Sequence, residues 1–367
     1  MWQCVHLFVL GALTMARPSR GEVFDPNEVA IAHVFNRTVR RCFLMGDDAL
    51  SGKNFDHRKV WIEEYLRQFA AYFGIDLICY AIMSNHFHLI LRSRPDVVAT
   101  WDNREVARRW LMICPVRRSA DSQPLAPNEA EINSIANCPV KCRDIRKRLS
   151  NFSWWMRLLC QRVAQRANNE EKERGKFFQD RYGATRLIDE ASLLACAAYV
   201  DLNPIRAAMA MTLESSDHTS VQTRIEAMTT HETDQNGSEQ DPPGDAFLSP
   251  LTINEQTDPI GPAPSQNGKR CSDKGVLAMP IEKYLALLDW TARQSVPGKR
   301  GCTPGELPPV LKRLGLGSKT WCELVSDFGK LFCHVAGRPE HVDTIRSHRT
   351  HRRYYLRRRA RELFAST

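Results

Sequence analysis

At 367 residues the chain exceeds one small domain, and its 43% hydrophobic residues suffice for at least one sizeable core. A formal charge of +9 ranks a polyanionic partner, nucleic acid above all, ahead of neutral small molecules. Twelve scattered cysteines exclude a disulfide framework, and no run past the N-terminus approaches the ~18 apolar residues of a membrane span.

Residues 1–28 read as a partly disordered extension. Met1 to Thr14 is apolar but has no positive stretch before it, and Arg17-Pro18-Ser19-Arg20 follows where a secreted domain would begin. The expectation is therefore a cytoplasmic protein, with Met15 as an alternative start to Met1. From residue 29 to 213 the pattern is α+β. Val29 to Phe35 reads as a strand ending at Asn36-Arg37. Arg58 to Phe73 sets Trp61, Tyr65, Leu66, Phe69 and Tyr72 at helical spacing, with Gly74 as the stop. Leu77 to Met83 and His86 to Arg92 are β-rich runs joined by Ser84-Asn85, a hairpin signal because Asn tolerates positive φ. Further helices are expected over Glu105–Met112, Phe152–Ala167 and Ala191–Leu202, with a last strand over Thr185–Ile188. Cys114, Cys138 and Cys142 are too loosely spaced for zinc and read as free thiols.

Charge is spread unevenly. Between Ile225 and Gly268 there is no Lys or Arg but eight acids, which leaves about seventeen net positive charges on the remainder. Residues 214–274, rich in Ser, Thr, Asp, Gln, Gly and Pro, read as a flexible acidic linker. Residues 275–345 follow as a small helical domain, with helices over Ile281–Trp290 and Thr320–Ala336. The tail from 346 to 367 carries eight arginines between Arg346 and Arg361, beside Tyr354 and Tyr355. Arginine next to aromatics suits phosphate contact and base stacking, which makes Arg352, Arg353 and Arg357 candidate DNA contacts.

Two constellations carry chemistry. In His86-Phe87-His88 strand alternation puts both imidazoles on one face, where they can chelate a divalent ion; alone this is a weak signal. In Ala198-Tyr199-Val200-Asp201-Leu202-Asn203-Pro204-Ile205-Arg206-Ala207, Tyr199 and Asn203 lie one helical turn apart, and Pro204 should end or kink the helix. That sets a phenol beside an amide oxygen, itself a competent ligand for a hard ion. Each pattern, taken alone, is better read as ordinary packing.

Together they resemble a family. Tyr80-Ala81-Ile82-Met83-Ser84-Asn85-His86-Phe87-His88-Leu89-Ile90 looks like the His-hydrophobic-His strand of the HUH endonuclease superfamily. Phe178-Gln179-Asp180-Arg181-Tyr182, with the Tyr199–Ala207 segment, looks like the signature of REP-associated, single-tyrosine transposases, and His33 to Arg37 resembles their first strand. The resemblance spans residues 29–210; the connection from Cys114 to Arg148 is longer than the family's, and Ala207-Ala208 replaces a usual Ala-Gly. It implies a ferredoxin-like antiparallel sheet with helices on one side. It also implies a Mg²⁺ or Mn²⁺ ion held by His86, His88 and Asn203, with Tyr199 as nucleophile forming a 5′-phosphotyrosine on single-stranded, palindromic or hairpin DNA. Tyr182 is the competing nucleophile, and Arg181 or Arg206 could clamp a phosphate. No phosphate-binding Gly-x-x-x-x-Gly-Lys-[Ser/Thr] motif occurs, so no nucleotide cofactor is expected. The alternatives are a replication-type nickase and a non-catalytic DNA-binding regulator that retains the fold.

Overall fold

Strand β1 (Ile31–Arg37) forms the middle of a five-stranded sheet, with β5 (His86–Ser93) on one side and β6 (Gly183–Leu187) on the other. This is seen in a computed structural model that describes residues 23–49, 51–120, 124–233, 243–253, 261–294, 308–348 and 354–365. The order is β4-β5-β1-β6-β7, where β4 is Ile75–Ile82 and β7 is Val335–Ala336; β2 (Asp47–Asp48) and β3 (Lys53–Asn54) form a separate ribbon. The four long strands are antiparallel and only β7 joins parallel, on β6. Helix α1 (His57–Tyr72) crosses from β1 to β4, and a helical stretch crosses from β5 to β6, which is the split βαβ plan of the ferredoxin-like fold. The α+β expectation therefore holds.

The crossover to β6 contains α2 (Pro95–Thr100), α3 (Asn103–Ile113), α4 (Glu129–Ala136), α5 (Pro139–Leu149) and α6 (Phe152–Glu171). Helices α1 and α6 pack beneath the sheet through Phe69, Phe73 and Trp155, and the Asn36 amide reaches Cys160 Sγ of α6 at 3.3 Å. The opposite face is covered as well, by α7 (Glu190–Asp201) and by α12 (Ser318–Leu331) behind it. Helices on one side only is thus corrected to helices on both. The reason is local: β4 is buried along its whole length, and Leu77-Ile78-Cys79-Tyr80-Ala81-Ile82 places apolar side chains on both faces. The β4–β5 turn also departs from the expectation, since neither Ser84 nor Asn85 has a positive φ. Asn85 serves there through its side chain, donating from Nδ2 to the Arg41 carbonyl at 3.0 Å.

The described parts of 214–274 form a cover on the sheet, not a free spacer; 234–242 and 254–260 lie outside the described residues. Short α8 (Asn203–Arg206) leads to α9 (Ser220–Thr233), where Ser220 Oγ donates to buried Asp201 at 2.6 Å. Arg92 donates to the carbonyls of Lys274 (2.6 Å) and Gly275 (2.9 Å). Asp76, fully buried, accepts from Ser272 N and Oγ at 2.9 Å and pairs with Arg92 (2.7 Å) and Arg94 (3.2 Å). A segment with little apolar area is held by buried polar bonds, which composition does not reveal. Asp76→Ala removes the carboxylate partner of buried Arg92, while Arg94 keeps Asp96, so urea unfolding should show a loss of about 3–5 kcal/mol; an unchanged midpoint would mean that this network contributes nothing.

The C-terminal helices α10 (Ile281–Gln294), α11 (Pro309–Arg313), α12, α13 (Pro339–Ser347) and α14 (Arg358–Ala365) share the core of the first region. Tyr284 of α10 donates to Asp201 at 2.6 Å, and the Trp321 indole of α12 donates to Thr291 Oγ at 2.9 Å.

Candidate functional site

Strand β5 presents His86 and His88 to the face covered by α7, as alternation requires. Register pairs Phe35 with His88 and His33 with Ile90, which brings His33 of β1 onto the same face. His33 Nε2 and His88 Nδ1 are 2.9 Å apart and share a proton in a buried bond, their rings stacked at 5.1 Å and 19°. His86 stands across His88 at 5.0 Å and 89°. The Asn85 carboxamide oxygen can only accept, so it fixes the proton of His86 on Nδ1 (2.7 Å) and leaves a lone pair on Nε2. His88 Nε2 is buried with no hydrogen-bond partner. A satisfied core histidine would not leave that nitrogen bare.

Burial is the main cause that lowers all three basicities. His33 is pushed down to about 3, His86 to about 4 with Arg37 adding repulsion, and His88 well below its ordinary value, with His86 and His33 adding to the effect. All three imidazoles are therefore neutral at pH 7, the form that ligates metals.

Tyr199 comes from α7, which Asp189 starts with a reciprocal capping box to Ser192. The helix ends at Leu202, and Pro204 opens the short α8, so the break falls where Pro204 led us to expect it. The Asn203 side chain, one turn further on, acts on the Tyr199 hydroxyl, lowering its pKa against the effect of burial. The phenol ring meets His88 edge-on at 5.3 Å and His33 at 5.8 Å, and stacks on Phe328 of α12 at 5.8 Å. Burial raises the Tyr199 phenol above its ordinary range; the Arg206 cation, 5.0 Å from the ring centre, opposes that. Arg206 is itself tethered, donating to the carbonyls of Val325 (2.9 Å) and Ser326 (2.5 Å).

Beside these residues opens a cleft of about 430 Å³, lined by His33, Phe35, Arg37, Arg181, Gly329 and Arg357 among others. The fold thus gathers His86, His88, Tyr199, Asn203 and Arg206 and sets Arg181 and Arg357 along the adjoining cleft. Arg357 also donates to the Lys330 carbonyl. Arg352 and Arg353 lie outside the described residues. In the described part of the tail, Arg358, Arg359 and Arg361 pair with Glu362, Glu323 and Asp343, while Tyr354, Leu356 and Ala360 are buried. Interleaved apolar residues dock this segment as α14. Tyr182 is buried and hydrogen-bonds Ser153 Oγ of α6 at 2.8 Å, on the face away from the histidines.

Among the described residues no three of His, Cys, Asp and Glu gather as a metal cluster. Cys142 Sγ donates to the Ile135 carbonyl at 3.2 Å, in keeping with a free thiol. Sequence reasoning missed two participants. His33 joins through cross-strand register, and Phe328 arrives from α12, more than a hundred residues away from Tyr199; neither leaves a local signal.

No family model and no curated protein matches the chain. Among solved structures, a REP-associated tyrosine transposase bound to a REP hairpin is similar to it, with a TM-score of 0.31 and 9% identity over 58% of this chain and 88% of that one. That is a remote structural likeness, and it is the geometry of His33, His86, His88, Tyr199 and Asn203 that bears on what this chain does.

Proposed function

We propose that the chain is a metal-dependent, transposase-type enzyme that nicks and rejoins single-stranded or hairpin DNA through Tyr199. The observation that carries this reading is the bare, buried His88 Nε2 beside His86, with the Tyr199 ring packed against His88 and its hydroxyl against Asn203. His86, His88 and Asn203 would hold Mg²⁺ or Mn²⁺, two neutral imidazoles and an amide that leave the ion's charge undiminished. Such an ion supplies charge neutralisation at the non-bridging oxygens of a phosphodiester.

The chain's own residues do the rest. His33 acts as a positioning residue: its Nε2 would accept the proton of His88 Nδ1, which fixes the ring and leaves the lone pair of His88 Nε2 facing the site. Asn203 and Arg206 hold the phenol. Tyr199 Oη forms a bond to phosphorus as the bond from phosphorus to the 3′ oxygen breaks. The phenol gives up one proton and the departing 3′ oxygen takes one up, so the exchange balances and reverses onto another strand without an external energy source. Arg37, Arg181 and Arg357 would guide the flanking backbone along the cleft. A nucleic-acid substrate and free cysteines suit the reducing cytoplasm, and no helix among the described residues is long and apolar enough to cross a membrane.

The stacking of Phe328 on Tyr199 favours a second reading, a DNA-binding regulator that keeps the fold without catalysis. Incubation with labelled hairpin-flanked single strands and Mn²⁺ separates the two. A denaturation-resistant protein–DNA adduct is expected; binding without any adduct would leave the regulator.

A further inference from the structure

Many arginines among the described residues have a carboxylate partner: Arg58 pairs with Glu170, Arg104 with Glu129, Arg109 with Glu105, Arg117 with Glu131, Arg166 with Glu64 and Arg313 with Glu190. One region concentrates cations that have none. Between Cys138 and Asn169 eight Lys and Arg stand against a single acid, Asp144. Of these, Arg146 is spent on the carbonyls of Val98 (2.7 Å) and Trp101 (2.6 Å). Lys141, Arg143, Lys147, Arg148 and Arg157 have no carboxylate within ion-pair reach among the described residues, and all but half-buried Arg148 are exposed.

These cations surround aromatic rings. Arg148 and Arg157 both lie over Trp154, 4.6 and 5.0 Å from its centre, and Arg148 also lies over Trp110 at 5.5 Å. The two half-buried indoles meet edge-on at 5.7 Å. The surface belongs to α5 and the start of α6, on the sheet face away from His86 and His88. It connects to the cleft through Ser153, the neighbour of Trp154, which is hydrogen-bonded to Tyr182, the neighbour of Arg181. A cluster of like charges left uncompensated costs self-repulsion unless an anionic partner relieves it. Guanidinium groups placed over indoles present donors at reduced entropic cost, which suits a ladder of phosphates.

We infer that α5 and the start of α6 form a second DNA surface, which grips the sugar–phosphate backbone of a duplex flanking the strand at Tyr199. The inference rests on the DNA-processing reading above. The contacts are to backbone, so the surface sets affinity and orientation without reading sequence.

The test compares the full chain with a Lys141→Gln, Arg143→Gln, Lys147→Gln, Arg157→Gln variant, which leaves the packed Arg146 and Arg148 in place. Binding of a hairpin with a single-stranded flank is measured by anisotropy across salt concentrations, and adduct yield at saturating DNA is measured alongside. With roughly 0.9 of slope lost per phosphate contact on duplex DNA, the plot of log affinity against log salt should flatten by about 2–4, while adduct yield at saturation stays unchanged. A Lys141→Arg, Arg143→Lys, Lys147→Arg, Arg157→Lys variant that keeps the charge should keep the wild-type slope, and matched unfolding curves exclude a folding defect. A wild-type slope in the Gln variant overturns this inference alone. A wild-type chain that binds no DNA overturns the DNA reading with it. Binding to phosphatidylserine vesicles as tight as to DNA, lost in the same variant, would reassign the surface to a membrane.

Discussion

Tyr199→Phe should abolish the covalent protein–DNA adduct and lower strand cleavage by on the order of 10³-fold or more, because no second oxygen occupies its position. The same substitution should barely disturb the fold. A phenylalanine ring keeps the contacts with His33, His88 and Phe328, and the loss is one half-buried hydroxyl. Removing a polar group of that kind costs about 1 kcal/mol. Affinity for the DNA strand should therefore stay within a few-fold, so that chemistry is lost while binding persists. The control is Tyr182→Phe, which breaks the bond to Ser153 on the far face and should leave the adduct intact. The two variants are read side by side on a denaturing gel with end-labelled DNA. An adduct that survives Tyr199→Phe and vanishes in Tyr182→Phe would reverse the assignment and invalidate the site as described.

What the sequence makes legible in this site is what one segment can encode. Alternation along His86-Phe87-His88 dictates a shared face, and one turn plus a proline dictates where Asn203 sits relative to Tyr199. Strands and helices with strong periodic patterns, such as β4, β5 and α1, emerge the same way. Helix α5 does not, because its buried positions Cys142, Ile145 and Leu149 stand among six charged residues. Helix α9 escapes for a different reason: Ser220, Thr223 and Arg224 are buried through hydrogen bonds, so an apolar count misses it. The partnership of His33 with His88 depends on register between strands 55 residues apart, and the Phe328 contact depends on how α12 docks. Long-range packing of that sort has no local period.

The donor set makes a further claim that does not depend on turnover. If His86, His88 and Asn203 hold a divalent ion, Mn²⁺ should stabilise the folded chain by about 2.7 kcal/mol at a hundredfold excess over its dissociation constant, visible as a rise in Tm. His88→Ala should erase that rise and abolish cleavage, because it removes the ligand whose Nε2 is bare; His86→Ala should do the same. Protons compete with the metal for these rings, and the direction is fixed by burial. His86 titrates near 4 and His33 near 3 in the folded chain against about 6.5 when unfolded. Between those values the unfolded chain holds more protons, so metal-free stability should rise with pH from about 4 to 6.5. The slope is about 1.4 kcal/mol per pH unit for each ring that stays neutral, and the gain is complete above 6.5. Metal affinity of the folded chain should accordingly be flat from about pH 5 to 8 and fall only below about pH 4, because no ring needs to shed a proton above that. Titration of Tm against Mn²⁺ at several pH values measures both effects together. Cleavage in excess chelator equal to that with Mn²⁺, or a Tm indifferent to Mn²⁺ in the unaltered chain, would remove the metal from the mechanism and leave the bare His88 nitrogen without an account.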